Sequence, residues 1–218
     1  MSDPIQIPTS LVPPSRRNPQ SSLLYGPPQG GKTTICPLLP DALILELEPA
    51  GADFVAARKI DIRDMAHLQA VLAHLIALRE AGKPAARRLV IDTIDEVEAL
   101  CDPWALAQYK RSVLGKDFQG TSIVELPQGA GYGRLRDAMG ELLWLFSKAA
   151  DEVILLGHVR EKYIERKGAQ EVAAQDVALT GKVRSIVSSR CSSIGYVWRN
   201  YRDQVFLNFK TSDTVTCV

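Results

Sequence analysis

Residues 26–33 read Gly26-Pro27-Pro28-Gln29-Gly30-Gly31-Lys32-Thr33, a G-x-x-x-x-G-K-T pattern in which each fixed position has its own physical task. Glycines let the backbone curl so that several N–H groups point inward at a polyphosphate. A lysine at the seventh position reaches the β- and γ-phosphates, and the hydroxyl after it completes the shell of a Mg²⁺ ion. The flanks suit that reading. Ser21-Ser22-Leu23-Leu24-Tyr25 is a short apolar run fit for a buried strand, and Thr33 to Leu39 can continue as a helix. A helix beginning near Gly31 would add its positive end to the anion site, with Pro37 tolerable only in the first turns. A chance Gly/Pro-rich turn would lack these flanks. The pattern predicts a nucleoside-triphosphate site formed by Gly26, Pro27, Pro28, Gln29, Gly30, Gly31, Lys32, Thr33 and the adjoining Thr34.

A cradle of this kind sits at the end of a strand, and the rest of the chain supplies further strands. From residue 21 onward, apolar runs of strand length alternate with helix-length amphipathic segments, the pattern of a parallel sheet with crossover helices. Residues 42–47, 88–92 and 152–157 read as strands. Residues 65–80 follow a helical period through Met65, Leu68, Leu72 and Leu75, and Gly82-Lys83-Pro84 stops that helix. A second helix is predicted over 133–149. Near the C-terminus, 193–199, 204–210 and 214–218 suggest short antiparallel strands at the sheet edge. The expected fold class is α/β, a mostly parallel sheet flanked by helices, as one domain over residues 21–218. Residues 1–20 contain five prolines and Arg16-Arg17, and read as an extended arm whose Ile5-Gln6-Ile7 could pair with a sheet edge on a neighbouring copy.

Composition narrows the partners less than the motif does. The net charge of +1 marks neither a strong polyanion binder nor an acidic protein. Its distribution is uneven, with twelve acidic and seven basic residues over 41–102 against twelve and sixteen over 103–218. Cys36, Cys101, Cys191 and Cys217 form no C-x-x-C pair, so a zinc site is not expected and the thiols fit a reducing compartment. No apolar run reaches the length of a bilayer, and no leader-like stretch opens the chain. A cytoplasmic protein with no membrane partner is expected.

A triphosphate cradle also needs a carboxylate on the metal side and a group that orients water. The run Leu89-Val90-Ile91-Asp92 is an apolar strand ending in an acid, 60 residues after Lys32, so Asp92 is the candidate metal-side residue with Thr33. Asp95, two residues beyond Thr93, reads as the N-cap of a helix starting near Glu96. Glu48 lies just past the strand that follows the loop. It should emerge at the carboxyl edge of the sheet, where ligands of open α/β folds sit, which makes it the candidate catalytic base. Glu46 alternates with it and is the runner-up.

The segment Glu48-Pro49-Ala50-Gly51-Ala52-Asp53-Phe54-Val55-Ala56-Ala57-Arg58-Lys59 resembles the one in bacterial RecA that carries the catalytic glutamate. The loop at 26–33, the Val90-Ile91-Asp92-Thr93 strand end and Gly157-His158-Val159-Arg160 fall in matching order. Residues 21 to about 210 are therefore similar to the RecA-type P-loop NTPase core, and most similar to phage-encoded AAA-family nucleotide-binding proteins, which include core-only recombinases and single-strand-annealing ATPases. The resemblance implies ATP and Mg²⁺ as cofactors. It puts His158 where RecA proteins usually have a γ-phosphate-sensing glutamine, and Asp53 and Phe54 where they contact the adenine. A histidine there would add a pH dependence.

The resemblance further implies single-stranded DNA as a partner, a homo-oligomer or filament, and a phage-encoded protein working in a bacterial cell. Two stretches take the places of the DNA loops. One holds Arg111, Lys116, Tyr132 and Arg134, and the other Arg160, Lys162, Tyr163, Arg166 and Lys167. Basic groups there would neutralise phosphates and tyrosines would stack on bases. Arg199, Arg202 and Lys210 are candidates to act in trans on a neighbour's γ-phosphate. The leading reading is an ATP-driven DNA-recombination protein. The alternatives are an assembly ATPase acting on protein partners, and a P-loop small-molecule kinase, which 111–134 serves poorly with too few arginines for a lid.

Overall fold

The strands at the centre of the sheet are apolar on both faces, and that dictates a three-layer arrangement. In β1 (Ser21–Gly26) Leu23 and Tyr25 join one core while Leu24 joins the other; in β2 (Ala42–Glu46) Leu43 and Leu45 oppose Ile44. The same alternation sets Leu89 and Ile91 against Val90 in β4 (Arg88–Asp92). The computed structural model describes residues 20–49, 51–166, 169–212 and 215–217, with the backbone alone at 162–166 and 169–173. The arm, with Ile5-Gln6-Ile7, lies outside the described residues except at Gln20.

The sheet order is β3-β2-β4-β5-β1-β7-β8, where β3 is Lys59–Asp61, β5 Glu152–Arg166, β7 Ser193–Arg199 and β8 Val205–Asn208. Along this order every pair from β3 to β7 is parallel and β8 returns antiparallel to β7. The expected α/β fold with a mostly parallel sheet is what forms. Of the predicted antiparallel strands, 193–199 and the 204–210 run form β7 and β8, antiparallel to each other, and β7 also lies parallel to β1. In the 214–218 run Val215 makes one parallel bridge to Gln175, while 213, 214 and 218 lie outside the described residues.

Four helices cover the face bearing Leu23, Leu43 and Leu89. Helix α1 (Met65–Glu80) has the predicted bounds; the Asp64 side chain accepts from the His67 N–H at its start, and Gly82, at φ +72°, follows its end. Met65, Leu68, Leu72 and Leu75 are its buried stripe. Helices α2 (Ile94–Arg111), α3 (Ala130–Ala149) and α4 (Gly181–Arg190) complete the layer, and α3 starts three residues before its predicted boundary. Among the described residues, the opposite face is covered by the 3₁₀ turn Thr33–Leu38, whose Cys36 packs with Leu24, Ile44, Val90 and Leu156, together with Leu39, Ala57 and Val205.

Two expectations fail here. The helix predicted after the glycine loop is only that six-residue 3₁₀ turn. Pro37 within it has no N–H to continue an α ladder, so no long helix contributes its dipole to the loop. The segment 160–177, expected as a loop, is a hairpin: β5 runs on past the sheet to Arg166 and pairs antiparallel with β6 (Ala169–Val177).

Candidate nucleotide site

Parallel strands deliver their carboxyl ends to one edge, and register fixes which residues meet there. Gly26 stands opposite His158 across β1 and β5, and Glu46 opposite Asp92 across β2 and β4. Beyond these ends lies a cavity of about 610 Å³. Its wall includes Pro28, Gln29, Gly31, Lys32, Thr33, Thr34, Glu48, Phe54, His158, Arg199 and Asp203. A smaller apolar cavity of about 180 Å³ lies at the other end of the sheet near Ser21, Trp144 and Arg190, away from this chemistry.

The glycine loop is shaped by its neighbours. A Cβ at Gly26 would collide with the carbonyl oxygen of Val197 in β7, and Gly31 adopts φ +98° with Val205 of β8 packed where its side chain would go. Lys32 is buried and its Nζ donates to the Gly26 and Pro27 carbonyls at 3.2 and 3.0 Å. Burial pushes the Lys32 ammonium below the ordinary lysine range, against the attraction of Asp92.

Thr33 and Asp92, paired from sequence, meet directly: Thr33 Oγ1 donates to Asp92 Oδ2 at 2.7 Å. Asp92 is 1% exposed, and burial raises its pKa against the hydrogen bond from Thr33. Its other oxygen, Oδ1, is buried with no hydrogen-bond partner. An orphaned carboxylate oxygen beside a threonine hydroxyl fits a hydrated divalent cation. Among the described residues no group of three or more His, Cys, Asp or Glu could hold a metal. A cation at Thr33 and Asp92 would therefore be held jointly with a phosphate.

The two candidate bases separate. Glu46 is buried and fully engaged, its carboxylate accepting from the Ala52 N–H at 2.5 Å and from Lys59 Nζ at 2.6 Å. Glu48 lines the cavity, 41% exposed at its side chain, with Oε2 3.7 Å from His158 Nε2. His158 is anchored from behind. Asp95 Oδ1 accepts from its N–H at 3.1 Å, and Asp95 Oδ2 lies 2.6 Å from Nδ1. Burial pushes the Asp95 carboxyl up, but these bonds outweigh it and hold the group below the usual range; the same bond raises the His158 pKa. An ionised Asp95 only accepts, so Nδ1 carries the proton and Nε2 faces Glu48. Asp95 is thus not the N-cap of α2. Thr93 occupies that position, and Asp95 sits in the first turn, turned toward β5.

A family model described as an AAA domain matches residues 18–217. The chain belongs to the AAA-domain family. It is accordingly a nucleotide-binding P-loop ATPase, and the cavity just described is where this AAA domain carries its loop lysine, its strand-end Asp92 and its cavity carboxylate. No curated protein matches the sequence. Among the described residues, no helix of the AAA domain is long and apolar enough to cross a membrane.

The remaining candidates are scattered. Phe54 is 92% exposed at the cavity rim, which excludes a core role, while Asp53 is turned to Lys59 Nζ at 2.5 Å. Arg111 and Lys116 are exposed at the end of α2 and just after it. Tyr132 and Arg134 belong to the first turns of α3, not to a loop, and the Arg134 guanidinium lies 4.6 Å from the Tyr109 ring centroid. Arg160 is exposed on β5. The side chains of Lys162, Tyr163 and Arg166, and the whole of Lys167, lie outside the described residues. Arg199 lines its own chain's cavity; Arg202 and Lys210 are exposed outside it. Sequence reasoning missed Asp203, which also lines the cavity, since an acid in a polar turn carries no distinguishing pattern.

Proposed function

We propose that this AAA domain is an ATP-hydrolysing DNA-recombination protein. It assembles on single-stranded DNA as a homo-oligomer or filament and promotes annealing or strand exchange, in the cytoplasm of a bacterial host as a phage-encoded protein. One observation carries this reading: β5 is a single strand that touches the nucleotide cavity at His158 and then runs into a hairpin bearing Arg160, Lys162 and Arg166. A change in charge at the cavity therefore has a covalent route to a segment whose Arg160, Lys162, Arg166 and Lys167 suit phosphate backbones, balanced in charge by Glu161, Glu165, Glu171 and Asp176.

The residues divide the work of hydrolysis. Lys32 and the loop N–H groups bind the phosphates, and Glu48 orients and deprotonates the attacking water. His158, fixed by Asp95, presents Nε2 to Glu48 and to the phosphate. Thr33 and Asp92 would hold Mg²⁺, which would neutralise phosphate charge. Phe54 supplies the base-side rim, while Asp53 is engaged by Lys59. Arg202 and Lys210 are exposed around the β8 edge, which supports a role in trans on a neighbouring subunit.

A second reading, an assembly ATPase acting on protein partners, draws support from an exposed aromatic face. Trp198 and Phe206 stack with centroids 4.7 Å apart beside exposed Leu207 and Phe209. One measurement divides them. Single-stranded oligonucleotides should raise ATP turnover and drive the protein into large assemblies, and both effects should weaken steeply with salt. Failure of turnover and assembly to respond to any oligonucleotide would replace the recombination reading with the second one.

A further inference from the structure

The β7–β8 hairpin is built into the glycine loop of its own chain. The carbonyl of Val197 fills the space beside Gly26 and approaches Gly30, and the Val205 side chain fills the space beside Gly31. Between those two contacts, at the end of β7, stands Arg199, paired across the hairpin with Val205. Its backbone is thus set by the loop that cradles phosphate, and its side chain reaches the same cavity as Lys32, Thr33 and Glu48. An arginine so fixed needs no second subunit to meet the nucleotide.

Its hydrogen bonding points the same way. The side chain is 29% exposed; one guanidinium nitrogen donates to Asp203 Oδ1 at 2.6 Å, and the buried Nε has no partner. A guanidinium is permanently charged and forked, matched to phosphate oxygens, so a buried unused donor marks incomplete recognition. Asp203 is a weak holder for it: its side chain is 81% exposed, and exposed ion pairs contribute little. The carboxylate is kept at hand by a shaped turn. Asp203 sits at φ +62° and donates its N–H to the Asn200 carbonyl, while Asn200 Oδ1 accepts from the Arg202 and Gln204 N–H groups.

We propose that Arg199 contacts the nucleotide's phosphates in cis, and that Asp203 is an internal anion that occupies the guanidinium until phosphate takes its place. The two charges compete for one cation, so Asp203 sets the affinity for nucleotide. This does not depend on DNA being the partner.

Equilibrium binding of a fluorescent ATP analogue, without DNA, reads the competition. Asp203→Asn keeps a residue that tolerates the left-handed turn and removes the competing charge. It should tighten binding about five- to tenfold, and in the Arg199→Ala background the same change should have no effect, a coupling only a shared partner produces. Unchanged or weaker binding by Asp203→Asn overturns the proposal. The subunit that supplies the arginine is read by mixing Arg199→Ala with Lys32→Ala protein under assembling conditions. Acting in cis, the two inactive variants stay inactive at every ratio. Recovered turnover means that one subunit's arginine serves another's cavity, which also overturns it. Arg199→Lys, which retains charge without the fork, checks that lost activity is not lost folding.

Discussion

Asp95 holds His158 by both its ring Nδ1 and its backbone N–H, one carboxylate oxygen to each. The pair ties the start of α2 to the point where β5 leaves the sheet, and it aims the free face of the imidazole at Glu48. The two elements are locked together by one ionised contact.

Stability should therefore depend on pH through this pair. His158 is raised by Asp95, so its share is complete below the ordinary histidine value near 6.5 and fades as pH climbs through the higher folded value. Asp95 is lowered, so its share is present above the ordinary value near 3.9 and is lost as pH falls through the lower folded one. Asp95→Asn should cost about 1.5–3 kcal/mol at pH 6, the range for a charged hydrogen bond, and clearly less at pH 9. Urea unfolding at the two pH values measures the difference, and equal losses would contradict it.

Asp92 should show the opposite balance between stability and function. Its pKa is raised by burial, so ionised Asp92 weighs against the fold increasingly as pH rises above the ordinary carboxylate range. Asp92→Asn should raise the melting temperature of the nucleotide-free protein at pH 7, by an amount equivalent to about 1 kcal/mol, while abolishing turnover. A fall in melting temperature would show that the Thr33 bond outweighs desolvation.

Glu46 and Glu48 should fail differently. Glu48→Gln is expected to retain ATP and lose about 10²–10⁴-fold in turnover, with little change in unfolding. Glu46→Gln weakens a buried carboxylate's bonds to Lys59 and the Ala52 N–H while Lys59 keeps Asp53, and should lower the thermal midpoint more than Glu48→Gln does. Comparing kcat with thermal midpoint for each variant separates the two. Normal turnover in Glu48→Gln would shift the base to Glu46.

Gly26→Ala should be the most damaging single methyl in the loop. The added carbon meets backbone, the Val197 carbonyl, which cannot rotate away as a side chain would. A loss above about 3 kcal/mol is expected, enough to lower soluble expression. Gly31→Ala meets only the movable Val205 side chain, and should cost about 1 kcal/mol through its positive φ.

Most of the layer plan was legible because apolar period and strand burial are local properties. Helix α1 could be bounded by its apolar period from Met65 and the stop at Gly82, and β4 by its run into Asp92. The Thr33–Asp92 pair followed from motif chemistry. The hairpin 152–177 was not legible past Gly157. Residues 160–166 and 169–171 offer no apolar alternation, and what makes them strands is backbone pairing between two segments. The role of Asp95 was hidden for a related reason: an acid in a first helical turn looks the same whether it caps or reaches across to another strand. The cis position of Arg199 depends on β7 lying parallel beside β1, a long-range fact that spacing along the chain does not encode.

The 3₁₀ turn at Thr33–Leu38 has a thermal consequence. It begins beside Lys32 and ends as the roof over Leu24, Ile44, Val90 and Leu156. A roof that short rests on whatever steadies its first residue. Fastening that residue with a triphosphate should slow amide exchange across the whole underside of the sheet, not only at the loop.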